Sequence, residues 1–278
     1  MPIKNSLLRT LAPCLSIAVI FSSCSHSGSS DGNPVNNSYL ASARTIGPDG
    51  ILIDSFAYDA QHRVATFRQI ATNGTDSGTM TSVFNFSGNT PLPDSYVYTQ
   101  NDGTPETHVL TFDGQGRIIK DTSAGVSKFV TYYTYAGDNI ICRIFFAGDL
   151  SSDAFVDTLI VKGGNMTGAK VWGWDHGVGQ WEDQEQTTFG HATAANPGYK
   201  AEIAGAVGPL LHVLSVYNFG GHADYISKNI INKITGVVDG LPAGGITYTV
   251  HADASGRVSE LTPNGVGAAG YKTVYTYY

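Results

Sequence analysis

The sequence predicts an all-β protein, a long antiparallel up-and-down meander of hairpin repeats wound into one coiled or barrel-like sheet. Three observations predict it. From about residue 45, short stretches rich in Thr, Tyr, Phe, Val and Ile alternate with Gly/Asn/Asp/Pro clusters, as strands alternate with turns. Helical periodicity is nearly absent, the one candidate being "GYKAEIAGAV" at 198–207, which Gly208-Pro209 would end. Tight-turn signals recur every 24 to 33 residues with a looser loop in each interval, the self-similarity of a repeat array.

The chain opens differently. Residues 1–23 carry Lys4 and Arg9 with no acid, then the apolar stretch "LAPCLSIAVIF", then small residues. That is the layout of a secretory signal, too short to span a membrane as a helix. Its end, Phe21-Ser22-Ser23-Cys24, resembles the lipobox of bacterial lipoproteins, although Phe21 stands where such signals usually carry Leu, Val or Ile. The resemblance implies that Cys24 is lipidated and becomes the first residue of the mature chain. Residues 24–44 then read as a lipidated Cys and a flexible Ser/Gly/Asn tether, and 45–278 as a single β-repeat domain.

Charge and cysteines narrow the class. Cleavage before Cys24 leaves 14 Lys/Arg against 23 Asp/Glu, a formal charge of −9. Such an acidic chain is a poor partner for nucleic acid or an anionic lipid surface. With Cys14 removed and Cys24 acylated, Cys142 stands alone and forms no internal disulfide, so core and sheet must supply the stability. Its setting, "NIICRIFF", is that of a buried small hydrophobe.

Strand signals follow in order: "ILIDSFAY", "KFVTYYTY", "NIICRIFF", "FVDTLIVK", "LLHVLSVYNF", "GITYTV" and "KTVYTYY". Tight turns are expected near 59–62, 88–89, 113–116, 137–138, 163–165, 190–191, 220–221 and 253–256, with looser loops between them. The spacing gives roughly 14 to 17 strands, too many for an open sheet that neither curls nor closes. Three of the turns share a pattern: "YDAQHRV", "FDGQGRI" and "ADASGRV". A type I turn favours Asp first and Gly fourth, where a left-handed residue makes the bulge that restores strand twist. Asp113 with Gly116 and Asp253 with Gly256 fit; Asp59 is followed by His62, a residue tolerated in that region. Arg63, Arg117 and Arg257 come next, placed to lean back on the turn Asp or to cover the strand edge with their stems.

These hairpins resemble the tyrosine-aspartate (YD or RHS-type) repeats, whose "YDxxGR" units build wound β-sheets, though only Tyr58-Asp59 keeps the literal pair. "ANPGYKAE" at 195–202, "SKNIINKITG" at 227–236, "YTVHADASGRVSEL" and the terminal "VYTYY" are similar to the end of an uncharacterised family of Bacteroidetes envelope lipoproteins. That resemblance implies an outer-membrane lipoprotein with a β-rich domain, its face unresolved, and no established activity.

The richest chemistry lies in "KVWGWDHGVGQWEDQEQTTF", residues 170–189. As a hairpin it puts Trp172 and Trp174 on one strand face and brings Trp181 opposite. With Asp175 and Glu182 the trio could hold a glycan, rings stacking on apolar sugar faces while carboxylates take hydroxyls; the alternative is ordinary cross-strand packing. Asp183 and Glu185 add carboxylates, which leave a weak glycoside hydrolase as part of the same alternative, but no nucleophile, base and orienter converge, so no catalytic residue is assigned. His176 adjoins Asp175, and His212 and His222 are ten apart, without HExxH or CxxC spacing, so no metal or cofactor is expected. A transmembrane barrel is also disfavoured, because Glu182-Asp183 puts an acid on both faces of one strand and "SKNIINKI" is similarly polar. The sequence therefore reads as a lipid-anchored, non-enzymatic binding or scaffold module whose partners are the membrane, through its anchor, and an envelope protein or glycan.

Overall fold

The structure, a computed structural model, describes residues 39–278 apart from 49, 74–75, 102, 124–128, 147–154, 176–179, 198, 200–209, 211–225, 239–240 and 265–269. For strand residues 129, 146, 155, 173–175, 180–185, 237–238 and 241–244 it describes the backbone alone. The signal, the tether with Cys24 and nearly all of the helix candidate lie outside the described residues.

Sixteen antiparallel strands follow one another around a closed barrel. They are β1 (Leu40–Gly47), β2 (Gly50–Tyr58), β3 (Val64–Asn73), β4 (Asp76–Asn85), β5 (Ser95–Gln100), β6 (Glu106–Phe112), β7 (Ile118–Ser123) and β8 (Phe129–Ala136). The circuit continues with β9 (Asn139–Phe146), β10 (Phe155–Lys162), β11 (Asn165–Asp175), β12 (Gln180–Ala195), β13 (Asn229–Val238), β14 (Leu241–Ala252), β15 (Val258–Asn264) and β16 (Lys272–Tyr277). The first and last strands pair, Ala43 with Tyr275 and Thr45 with Thr273, and closure removes both exposed edges. β1 begins at Leu40, so the ordered body starts inside the stretch that reads as tether; its residues are needed to close the sheet.

The rim with both ends of the described chain carries the three Asp-x-x-x-Arg turns and the 137–138 and 163–164 turns, but also the 196–228 connection. The other rim joins β3 to β4 and β13 to β14 across two residues each, so the expected split into a tight-turn rim and a loose-loop rim holds only in part. The three Asp-x-x-x-Arg turns are built alike. In each, the Asp N–H donates to the Arg carbonyl at 2.8–2.9 Å, and the fourth residue donates back to the Asp carbonyl at 2.9–3.0 Å. That fourth residue is left-handed in every copy, with φ of 61° at His62, 75° at Gly116 and 77° at Gly256. The register then skips one residue just after each turn, the bulge that keeps the hairpin twisted.

One expected turn is corrected. Gly190-His191 lies within β12, where the pairing with β13 becomes irregular. A Cβ at Gly190 would sit 3.1 Å from the Lys233 Cβ across the sheet, so this glycine serves a close cross-strand approach and not a turn. Gly220-Gly221 lies outside the described residues. The real connection between β12 and β13 runs from 196 to 228.

The ends of that connection are clasped to the β10–β11 turn. Asn196 N–H donates to the Lys228 carbonyl at 2.9 Å, and Lys228 N–H to the Gly164 carbonyl at 2.8 Å. Met166 N–H donates to Ser227 Oγ at 2.8 Å, and Asn229 N–H to Asn165 Oδ1 at 2.9 Å. Gly164, at φ 82°, leaves room for the Lys228 stem, which a Cβ would meet at 2.5 Å. Asn196 and the "SKN" stretch at 227–229 are thus the two halves of one polar clasp.

Alternation along each strand sends one set of side chains inward. The inward set is apolar and buried, with Phe56, Phe67, Met80, Tyr96, Leu159 and Met166 in a single cluster around the barrel. Leu210 and Ile226, from the β12–β13 connection, join that cluster. A barrel of this strand number can hold an aqueous channel, yet here the described inward side chains are packed.

Candidate functional site

Charge divides between the two faces of the wall. The inward carboxylates are Asp54, Glu106, Asp121 and Asp157, with Asp76 on the same side at the exposed rim end of β4, and among the described residues no Lys or Arg joins them on that face. Asp54, Asp121 and Asp157 are at most 4% exposed. The outward face is rich in Thr and carries Arg44, Arg68, Lys120, Arg143, Lys170, Lys233 and Lys272, with Glu260 as the acid among described side chains. Lys272 Nζ lies 3.1 Å from Glu260 Oε2. Lys120-Asp121 shows the division within two residues, since Lys120 pairs with Thr111 on the outer face and Asp121 with Leu110 on the inner.

The inner face holds a closed polar network that sequence reading missed. The Tyr96 hydroxyl donates to Asp121 Oδ2 at 2.8 Å, and His108 Nδ1 lies 2.8 Å from that hydroxyl and 2.9 Å from Asp121 Oδ1. Because the Tyr96 proton is given to Asp121, the Nδ1 of His108 carries the ring proton facing both oxygens. Tyr96 also stacks on the His108 ring at 4.4 Å. Burial, and then the Asp121 carboxylate, push the Tyr96 hydroxyl well above its usual range. Tyr96 and His108 are fully buried and Asp121 is 1% exposed, so substrate has no route to them. The network is a buried tie between β5, β6 and β7. Its one signal in the sequence is the alternation that puts Tyr96, His108 and Asp121 in register with apolar neighbours.

Asp54 accepts from Gln69 Nε2 at 2.7 Å, a second inward tie. Cys142 is a fully buried free thiol, as its apolar setting implies, and burial followed by the Asp157 charge pushes it well above its usual range. It is no nucleophile in this state. Among the described residues no group of three His, Cys, Asp or Glu is placed to hold a metal ion.

The repeat hairpins prove structural, with a partner the sequence hid. Arg63, Arg117 and Arg257 do lean back on the turn Asp, each Nε reaching Oδ2 at 2.6–2.7 Å. Their guanidinium groups then lie over a ring one strand further on, Phe86 at 4.1 Å, Tyr135 at 4.3 Å and Tyr277 at 4.5 Å from the centroid. Each rim turn is therefore stapled to the end of the strand beyond it. At Asp113 the Arg117 N–H, and at Asp253 the Arg257 guanidinium, outweigh burial and hold the carboxyl below its usual range.

The Trp hairpin forms as expected on the backbone. β11 and β12 pair Trp174 with Trp181, Gly173 with Glu182 and Asp175 with Gln180, with a bulge before Trp172 pairs with Asp183. The side chains of Trp174, Trp181, Asp175 and Glu182 lie outside the described residues. Trp172 is described: it is half-buried and lies on the outer face, opposite Val156.

Fold and wall chemistry together define a closed antiparallel β-barrel whose described side chains pack an acid-bearing interior and make a Thr-rich, cationic outer wall. No family model matches the sequence, and no curated protein does. In shape the chain is similar to a porin-like protein from Bacteroides vulgatus, with a TM-score of 0.54 at 10% identity over 87% of this chain and 99% of that one. A porin-like protein from Bacteroides uniformis aligns over 86% of this chain and 96% of that one at 12% identity and a TM-score of 0.49. The first likeness bears on the fold alone.

Proposed function

We propose that this chain is a lipid-anchored envelope protein whose barrel stands in water as a non-enzymatic binding or scaffold module. The observation that carries the reading is the direction of the wall. Arg68, Lys120, Arg143 and Lys233 lie near the middle of their strands and point outward. Facing lipid, each would cost roughly 2–4 kcal/mol at the midplane, and the row would rival the about 5–15 kcal/mol that holds a typical domain together. An outer wall in water carries no such cost. Membrane attachment then falls to Cys24, and the repeat hairpins keep the barrel in shape to present its outer wall. A second reading, glycan binding, is favoured by the register that aligns Trp174 with Trp181 and by the outward Trp172.

Fractionation tests the main reading. The natural chain is expected in the membrane fraction, and Cys24→Ala is expected to appear in the soluble envelope fraction. A Cys24→Ala chain from which residues 1–23 have been removed and that still stays in carbonate-washed membranes would show that the wall itself is embedded.

A further inference from the structure

One part of the outer wall differs from the rest. Across β7 to β11 the register places Lys120 opposite Tyr132, Tyr132 opposite Arg143, Arg143 opposite Val156 and Val156 opposite Trp172. Lys120 Nζ is 5.5 Å from the Tyr132 ring centroid, and Phe145 meets the same ring edge-on at 5.7 Å. Tyr132 is 39% exposed, among the most open large apolar side chains described. Lys170, on the same face of β11 as Trp172, adds a third cation. Among the described side chains on the outer face of these strands there is no Asp or Glu; Asp121 and Asp157 point inward.

We propose that this row is the binding surface for an acidic polysaccharide. Flat rings and cations in alternation suit such a chain, because rings stack on the apolar faces of sugars while cations meet the charged substituents between them. Strands spaced about 4.8 Å apart make the row roughly 19 Å long, enough for several consecutive sugars. Charge complementarity is local, since the whole chain carries a formal charge of −7 and would repel a polyanion elsewhere. Tyr132 and Trp172 are the stacking platforms; Lys120 and Arg143 are the anion contacts. The proposal rests on the reading that the outer wall faces water.

The test uses the Cys24→Ala chain without residues 1–23, titrated with alginate, chondroitin sulfate, dextran and oligo-dT. Binding of alginate or chondroitin sulfate without dextran is expected, and the two arms separate carboxylate from sulfate recognition. Lys120→Gln combined with Arg143→Gln should weaken binding at least tenfold, as should Tyr132→Ala. Arg68→Gln, an outward cation on β3, should leave it within twofold. No binding to either polysaccharide at low salt would overturn the proposal. So would an equal loss in Arg68→Gln, which means diffuse charge, or equally tight binding of oligo-dT, which means a surface that reads any polyanion. A Cys24→Ala chain without residues 1–23 that is monodisperse only in detergent overturns the water-facing reading first, whereas a monodisperse chain that fails to bind overturns this proposal alone.

Discussion

The inner and outer walls of the barrel are made from the same strands, yet they carry opposite chemistry. Inside, carboxylates are buried among aromatic and aliphatic side chains and tied by hydrogen bonds; outside, cations stand among threonines. Neighbours in sequence, such as Lys120 and Asp121 or Cys142 and Arg143, therefore live in different solvents. The difference teaches that position on the pleat, more than residue type, sets what a substitution does here.

Lys120 and Asp121 break or sharpen that comparison most directly. Asp121→Ala strips His108 and Tyr96 of their shared acceptor at a buried site and is expected to cost about 2–6 kcal/mol, about 1–3 for each buried donor left without its partner. Lys120→Ala, one residue away on the outer wall, is expected to fall within about 0.5 kcal/mol. Urea unfolding of both variants measures the contrast. Equal midpoints would mean that the inner network contributes nothing.

Ser227→Ala ranks next. Ser227 is fully buried and its hydroxyl receives the Met166 N–H, so the variant leaves a buried donor without that acceptor. The expected cost is about 1–3 kcal/mol, read as a lower urea midpoint. A Ser227→Ala chain as stable as the natural one would remove the clasp from the list of devices that hold the β12–β13 connection.

Much of this architecture was legible in the sequence. Strand number, the meander and the Asp and Gly of the rim turns follow from local rules, because a hairpin is specified by the few residues that make it. Alternation in "IIKDTS" also shows that Lys120 and Asp121 face opposite ways. What alternation cannot say is which face is inside. That depends on closure, through the β1–β16 pairing of chain ends, and on Tyr96 and His108 arriving from other strands to receive Asp121. The Arg–aromatic staples were hidden for the same reason, since Phe86, Tyr135 and Tyr277 lie beyond the hairpin that each one locks. Gly190 misled because glycine marks both turns and close cross-strand approaches, and the sequence around it does not separate the two.

Gly256→Ala is a smaller perturbation. Nothing lies within 4 Å of the added Cβ, so the cost is the backbone's alone, at φ 77°. About 1 kcal/mol is expected, seen as a modest fall in Tm. The corresponding outer-wall change, Thr81→Ala, should leave Tm nearly unchanged.

The smallest effect separates the rim from the interior by pH. At the rim, Asp113 and Asp253 are held below the usual carboxylate range, chiefly by Arg117 N–H and the Arg257 guanidinium respectively. Their folded values lie under their unfolded ones, so the stability they add is present above about pH 4 and is lost as pH falls through the folded values. Inside, burial raises the Tyr96 hydroxyl well above its usual range, so its contribution is complete below about pH 10 and is lost as pH rises further. Asp113→Asn combined with Asp253→Asn should flatten the acid limb of a stability–pH curve and leave the alkaline limb in place. Tyr96→Phe should do the reverse, at a lower plateau because Asp121 loses a donor. If the Asn pair altered both limbs, rim and interior would be coupled, and the division between the walls would not extend to their ionisation.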